Sequence, residues 1–271
     1  VTQTEIPTSR LPLPPENVFG HRKKLDFLRE NIRLRVESKP GSEVKVLDVG
    51  CSNGQYVSIH LGDLGAHVHS IDIHQPSIEY AKENNPYPET INFEVRDLAD
   101  LDPANPYEIA VLADIVEHMD HPVDFLKLIR ERLTDDGSTL VSIPNGYGPF
   151  EIENWCDRKG LLTPSYWLFN VLSGLKGKLT GRRDWGEGPD EIPYHGECGH
   201  VQWFTIGSFR KVVEDSGFYI DEFRKGTWLG ALCTSTWWGR YDWFNRINSN
   251  LGNVMPSWAV STWYFRLKKK F

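Results

Sequence analysis

V-L-D-V-G-C-S-N-G-Q-Y, residues 46–56, decides how this chain folds. An apolar, β-branched run (Val44, Val46, Leu47, Val49) ends in a turn punctuated by Gly50 and Gly54, and an apolar-periodic segment follows. A strand feeding a tight loop into a helix is how α/β folds bring backbone N–H groups up to a nucleotide-like ligand. Two further strand ends follow at even intervals. H-V-H-S-I-D-I (67–73) carries Asp72, and I-N-F-E-V-R-D-L (91–98) carries Asp97. Three strand ends, each with a carboxylate, suit a ligand that offers amine and hydroxyl groups.

A dinucleotide fits this loop poorly. Its fingerprint, G-x-G-x-x-G, needs a third glycine where position 55 is Gln, and Asp48 ahead of the first glycine would repel a pyrophosphate. On these residues the chain resembles the class I S-adenosylmethionine (SAM)-dependent methyltransferases, whose signature is D/E-x-G-x-G-x-G. Asp48, Gly50 and Gly54 match it, and Ser52 stands for the middle glycine. The resemblance implies an α/β, Rossmann-like fold with a seven-stranded, mostly parallel sheet, an antiparallel edge hairpin and, in this chain, an inserted cap or lid. It also implies that Asp48, Gly50, Ser52 and Gly54 hold the methionine end of SAM. Asp72 with Ile73 would take the ribose hydroxyls, Asp97 with Leu98 would face the adenine amino group, and Ala113 would complete the cofactor set.

The rest of the chain reads outward from that core. Residues 1–19 form a proline-rich arm, and a helix over about 20–37 repeats Leu25, Leu28, Ile32 and Val36 at helical spacing. Helices are expected at 55–64 and 76–84, and strands at 91–95 and 107–113. Asp120 or His121 caps a helix bearing Leu126, Ile129 and Leu133, which D-D-G (135–137) ends before a fifth strand at 138–145. Alternating strands and helices predict a parallel sheet covered on both faces, with the SAM-binding core at 20–145. Residues 146–200 break the rhythm and read as an insertion or lid with one helix, 164–179. Thr205 then caps a helix to about Asp215, and strands at 218–223 and 258–267 close the core within 201–271.

Composition narrows the classes. The chain has 271 residues and a net charge of −7, which disfavours a broad phosphate-binding surface. Cys51, Cys156, Cys198 and Cys233 form no C-x-x-C pair, so a reduced, cytoplasmic setting is expected. No apolar leader segment opens the sequence, and no apolar run is long enough to span a bilayer. All ten tryptophans lie after residue 150, so the second half is built around large aromatic surfaces.

A second constellation, A-D-I-V-E-H-M-D-H-P (113–122), begins where the fourth strand ends. It resembles the E-H segment of the ubiquinone-biosynthesis O-methyltransferases. In those enzymes and in the small-RNA 3′-terminal 2′-O-methyltransferases, an E-x-x-E-H run can hold a divalent metal, and the small-RNA enzymes add a histidine before a W/F-T helix start. The matching residues are Asp114, Glu117, His118 and, in G-H-V-Q-W-F-T, His200. Oxygen and imidazole donors of this kind suit Mg²⁺, Mn²⁺, Fe²⁺ or Zn²⁺. A metal-free base, His118 or His200 with Glu117 beside it, is the preferred use of the same residues. His195, Cys198 and His200 lack a fourth partner for zinc.

The expected activity is SAM-dependent methylation of a hydroxyl group on a small molecule, either a sugar or glycoside or a lipid-linked phenol. A SAM-binding scaffold or partner subunit is the alternative, and an RNA methyltransferase the third. No nucleic-acid partner is expected, and the oligomeric state is open. Leu168, Leu172, Leu175 and Leu179, followed by Lys176, Lys178, Arg182 and Arg183, offer a peripheral membrane contact through 164–183. Packing of that helix as a cap on the domain is the preferred reading.

Overall fold

The computed structural model describes residues 11–180 and 199–271, with only the helical backbone given for 175–180. Seven strands form one sheet: β1 (Lys45–Val49), β2 (His67–Asp72), β3 (Ile91–Val95), β4 (Tyr107–Ala113), β5 (Leu133–Pro144), β6 (Phe218–Lys225) and β7 (Thr262–Lys269). Their order is β3-β2-β1-β4-β5-β7-β6. The first five are parallel, and β7 runs antiparallel between β5 and β6. The expected sheet is therefore present.

Strand alternation sorts the core onto two faces. Leu47, Val49, Ala110, Leu112, Val141, Ile143, Trp263 and Phe265 face one cluster. It is covered by α3 (Pro122–Glu131), through Leu126 and Ile129, and by α6 (Ile206–Asp215), through Phe209 and Val213. Val46, Val68, Ile109, Val111, Leu140 and Tyr264 face the other, under α1 (His21–Ser38) and α2 (Gln75–Glu83). The chain leaves β1 in one direction for β2 and β3, then returns to β4 on its other side. Such a switch point opens a crevice at the carboxyl ends of β1 and β4.

Three local expectations are corrected. Residues 55–64 form turns and one 3₁₀ turn, Ser58–His60, in place of an α-helix. Ser58 is committed to Asp48, and Asp63 to Arg29 in a buried pair with contacts of 2.5 and 2.9 Å. Gly62 packs against the Tyr87 ring, where an added Cβ would meet carbon at 2.6 Å. These long-range contacts override the local periodicity. Likewise, D-D-G at 135–137 does not precede β5 but lies inside it, because the strand starts at Leu133 and pairs that residue with Tyr107. The register slips between Tyr107 and Ile109, and Gly137 sits against the Thr134 and Glu108 carbonyls, where a Cβ would be crowded at 3.0 and 3.2 Å. The last strand begins at Thr262 and not at 258, since the Trp258 and Val260 carbonyls are taken by the Asn145 side chain at 2.8 Å each. His121 occupies the N-cap of α3 without a side-chain hydrogen bond, whereas Thr205 and Ser208 form a full capping box on α6.

Two excursions leave the sheet. After β5 come α4 (Pro149–Arg158), unforeseen in the sequence, and α5 (Thr163–Thr180). Between β6 and β7 come α7 (Leu232–Trp238) and α8 (Asp242–Val254). Glu153 of α4 accepts the Thr234 amide at 2.8 Å and its hydroxyl at 2.5 Å, so the excursions dock on each other. The second one also grips the start of α1. Lys23 Nζ donates to the Gly226 and Ser249 carbonyls at 2.9 and 3.0 Å. Thr227 Oγ1 donates to Val18 O at 3.0 Å, and Tyr264 Oη to Gly20 O at 3.2 Å. Among the described residues no helix is long and apolar enough to cross a membrane. The side chains of Leu175, Lys176, Lys178 and Leu179, together with Arg182, Arg183, His195 and Cys198, lie outside the described part.

Candidate functional site

The loop after β1 needs a left-handed backbone at three places: Gly50 (φ 72°), Ser52 (φ 50°) and Gly54 (φ 73°). Glycine adopts that region freely and serine does not, so Ser52 is held there by its surroundings. Its amide donates to Asp72 Oδ2 at 2.7 Å, and the His74 amide donates to Asp72 Oδ1 at 2.8 Å. Each carboxylate oxygen keeps a lone pair for a further donor. The Ser52 hydroxyl is buried without a partner. Asp48, at the end of β1, accepts from Ser58 Oγ at 2.6 Å. Burial pushes its carboxyl up to about 6, against the Ser58 bond and with help from the charge of Asp72. Asp97 takes the Ala99 amide at 2.8 Å and so caps the turn at Leu98.

Asp48, Gly50, Ser52, Asp72, Ile73, Asp97, Leu98 and Ala113 all line one cavity of about 800 Å³. Gly54 does not. It lies behind the loop, where a Cβ would meet the Phe93 ring at 2.6 Å. Ile73 is 64% exposed, an apolar side chain left bare at the cavity mouth.

The opposite wall begins where β4 ends. Asp114 is also left-handed (φ 55°), and its carboxylate lies between Ser142 Oγ, at 2.7 Å, and Lys24 Nζ of α1. Burial raises this carboxyl, but the Lys24 charge and the bonds from Lys24 and Ser142 outweigh it and hold it below the usual range. One 3₁₀ turn on, Glu117 points inward, 1% exposed, with Oε2 unpartnered among the described residues. Burial, with Asp114 nearby, pushes it well above an ordinary glutamate.

The segment before α6 is tied to this turn. The Val201 and Gln202 amides both donate to Glu117 O at 3.0 Å, and the Gly146 amide donates to Phe204 O at 2.9 Å. His200 is thereby set edge-on to His118, with ring centroids 5.1 Å apart. Ligand atoms of Glu117, His118 and His200 all fall within 4.8 Å of one another. Asp114 stands outside that group, committed to Lys24 and Ser142.

The partners of the two imidazoles fix their chemistry. His118 Nδ1 faces the Gly199 carbonyl at 3.2 Å, and His200 Nδ1 faces the Glu151 carboxylate at 2.7 Å. Both partners only accept, so each Nδ1 carries the hydrogen and, in the neutral ring, each Nε2 presents a lone pair. Burial, opposed by the Gly199 contact and aided by His200, keeps His118 below the usual imidazole value. Two lone pairs and a free carboxylate oxygen in one cluster can accept a proton or ligate a cation.

Sequence reasoning missed several parts of this wall. Glu151 and Phe150 come from α4, and Asn17, Phe19, His21 and Lys24 come from the end of the arm and the start of α1. None carries a motif.

Comparison with known proteins agrees with this fold. The family described as methyltransferase domain matches residues 19–222. Among curated relatives, the ubiquinone biosynthesis O-methyltransferase of Rickettsia bellii is 25% identical over 126 residues, covering 45% of this chain and 50% of that protein. The mitochondrial enzyme of the same name from Mus musculus is 29% identical over 132 residues, covering 45% of this chain and 35% of that protein. This chain thus spans half or less of the length of these two relatives. Among solved structures, magnesium protoporphyrin IX methyltransferase from Synechocystis PCC 6803, with bound SAH, superposes at a TM-score of 0.51 and 14% identity, covering 93% of this chain and 85% of that one. PKMT2 from Rickettsia typhi gives 0.55 and 14%, covering 95% and 55%. At such identities the likeness is one of fold.

Proposed function

This chain belongs to the methyltransferase-domain family, and from that footing we propose that it transfers the methyl group of SAM to a hydroxyl of a small molecule. The observation that carries the proposal is the convergence of Glu117, His118 and His200 on the wall facing an acid-rimmed glycine loop, around one cavity.

The residues present suit SAM. The cavity of about 800 Å³ falls within the range of about 300–1,000 Å³ usual for ligand sites, and it offers room for donor and acceptor together. The partnerless Ser52 hydroxyl and the spare lone pairs of Asp72 call for a ligand rich in hydroxyls and amines. Asp48 and Asp72 at the loop disfavour a phosphate there and favour a cation.

When bound, SAM supplies an electrophilic methyl on a sulfonium. The chain's own work is to position the acceptor oxygen, exclude water and accept one proton. Phe19 and Phe150 cover the cavity from the arm and from α4. His200 Nε2, with its lone pair directed by Glu151, is the proposed proton acceptor, and His118 supports it from the side.

A second reading is favoured by the unpartnered Glu117 Oε2. A divalent cation held by Glu117, His118 and His200 would satisfy that oxygen and lower the pKa of an adjacent acceptor hydroxyl. For the acceptor we keep a sugar or glycoside and a lipid-linked phenol. The exposed Trp167, Leu168, Val171 and Leu172 on α5 lend support to the lipid-linked form.

The test is transfer of labelled methyl from SAM to a panel of glycosides and phenols, before and after exhaustive chelation. Labelled ether supports the proposal, and its loss on chelation with rescue by a divalent ion supports the metal. SAM bound but not consumed across the panel would favour a scaffold. Label in RNA would move the chain to the third class, which its net charge disfavours.

A further inference from the structure

We propose that Glu151, on the inserted helix α4, is the positioning residue of His200, so that the excursion after β5 supplies a working part of the acceptor wall and not only a cover. The activity arm of this inference rests on the hydroxyl-methylation reading above. Its spectroscopic arm does not.

Glu151 sits in the first turn of α4 and is 6% exposed. A carboxylate so placed is strongly unfavourable unless it is paired. Its described partner is the His200 Nδ1–H at 2.7 Å. The ring is also flanked by Phe150, with centroids 6.3 Å apart, and by His118 at 5.1 Å. Neither ring contact selects a tautomer. The carboxylate does, by accepting at Nδ1 and turning the Nε2 lone pair toward the cavity.

The helix that carries Glu151 is fixed from three sides. Its entry is held by Asn145, whose Oδ1 accepts the Tyr147 amide at 3.2 Å while Nδ2 bridges the Trp258 and Val260 carbonyls. Gly148 fits tightly beneath, since a Cβ there would lie 2.5 Å from Asn145 Nδ2. Glu153, two residues on and so about 200° around the helix, points to α7 and takes both donors of Thr234. Two carboxylates on opposite faces of one helix thus have separate tasks. Glu153 docks the helix, and Glu151 reaches the imidazole.

The experiment uses the full chain and Glu151→Ala, Glu151→Gln and Glu151→Asp. It measures SAM affinity by calorimetry, acceptor KM and kcat, and the imidazole nitrogens of His200 by NMR on histidine-labelled protein without added metal. For Glu151→Ala, kcat should fall about 10- to 100-fold with SAM affinity within about twofold of wild type. The His200 signals should lose the Nδ1–H pattern, and Glu151→Asp should recover part of both. An unchanged Nδ1–H pattern in a folded Glu151→Ala protein would overturn the inference, as would a wild-type kcat. Should the alanine variant not fold, the isosteric Glu151→Gln decides. It must lose part of kcat and shift the Nδ1 resonance, and wild-type values for both would be fatal. If the wild-type chain methylates no acceptor, the functional reading fails, and the NMR comparison alone decides the role of Glu151.

Discussion

The two walls of the cavity are built in opposite ways. On the proposed cofactor side, the shaping contacts span no more than 20 residues and use backbone amides: Asp72 takes amides from Ser52 and His74, and Asp97 takes the amide of Ala99. On the acceptor side, they are side-chain contacts between distant segments. Glu151 and His200 are 49 residues apart, His118 and Gly199 are 81 apart, and Lys24 and Asp114 are 90 apart. The first wall is a property of strand ends and turn geometry that any chain of this fold can share. The second depends on how particular excursions pack, which is where one fold acquires different substrates.

If the walls are functionally separate, each should fail alone. The largest effect is expected at His200→Ala, which should lower kcat by about 10²- to 10⁴-fold while calorimetry finds SAM affinity unchanged. A parallel loss of SAM affinity would break the comparison. Next comes Asp72→Ala, which releases the Ser52 and His74 amides and removes the proposed bonds to the ribose hydroxyls, worth about 1.5–3 kcal/mol each, so SAM binding should weaken by about 10²-fold or more. The His200 NMR signals should be untouched in that variant. Undiminished SAM affinity would show that the ribose does not sit at Asp72.

A smaller, graded effect concerns Asp48. Its carboxyl stands at about 6 in the fold against 3.8 for an ordinary aspartate, so the folded chain binds more protons between those values. Stability of the ligand-free protein should therefore fall as pH rises from about 4 to 6 and stay at the lower level above that. SAM affinity should run the other way, rising through about pH 6 as the carboxylate ionises opposite a cationic ligand. Asp48→Asn should flatten both slopes and weaken SAM binding, and slopes as steep as wild type would place the titrating group elsewhere. The smallest effect is expected on the outer face of α5. Trp167→Ser and Leu172→Asp should change unfolding free energy by no more than about 0.5 kcal/mol, because both side chains are exposed. If the same pair abolished co-sedimentation with anionic vesicles, the lipid-linked acceptor would gain over the glycoside.

The contrast between the walls also explains what the amino-acid sequence reveals. β3 and β4 are read to the residue, β4 because it is a compact, buried apolar run and β3 because it alternates Ile91 and Phe93 with Asn92 and Glu94, and Asp72 and Asp97 follow because they stand at strand ends. Residues 55–64 are misread because Asp48 and Arg29, outside the segment, claim the side chains of Ser58 and Asp63. Asn245 and Asn248 look like surface residues, yet both are buried, and Asn248 bonds the Leu229 amide and carbonyl at 2.8 Å each. Polar groups that bond inside the fold give no periodic signal, so α7 and α8 escape a pattern-based reading. Glu151 is hidden for the same reason. His118 and His200 were legible only through a resemblance, and nothing near them in sequence announces the carboxylate that one of them meets.

The grip of Gly226, Thr227, Ser249 and Tyr264 on residues 18–23 has a consequence in time. Asn17, Phe19, His21 and Lys24 line one side of the cavity, and although His21 and Lys24 meet Tyr56 and Asp114, their neighbours Val18, Gly20 and Lys23 are anchored by residues made more than two hundred positions later. At about 5–20 residues per second, the interval on the ribosome is roughly 10–50 s. Through that interval the glycine loop and its acids can form while the mouth above them stays open. A ligand that binds only the closed site stabilises chains that have reached β7 and does nothing for shorter ones. If SAM binds in this cavity, its affinity should appear only once β7, which lines the cavity through Thr262 and Tyr264, has been made.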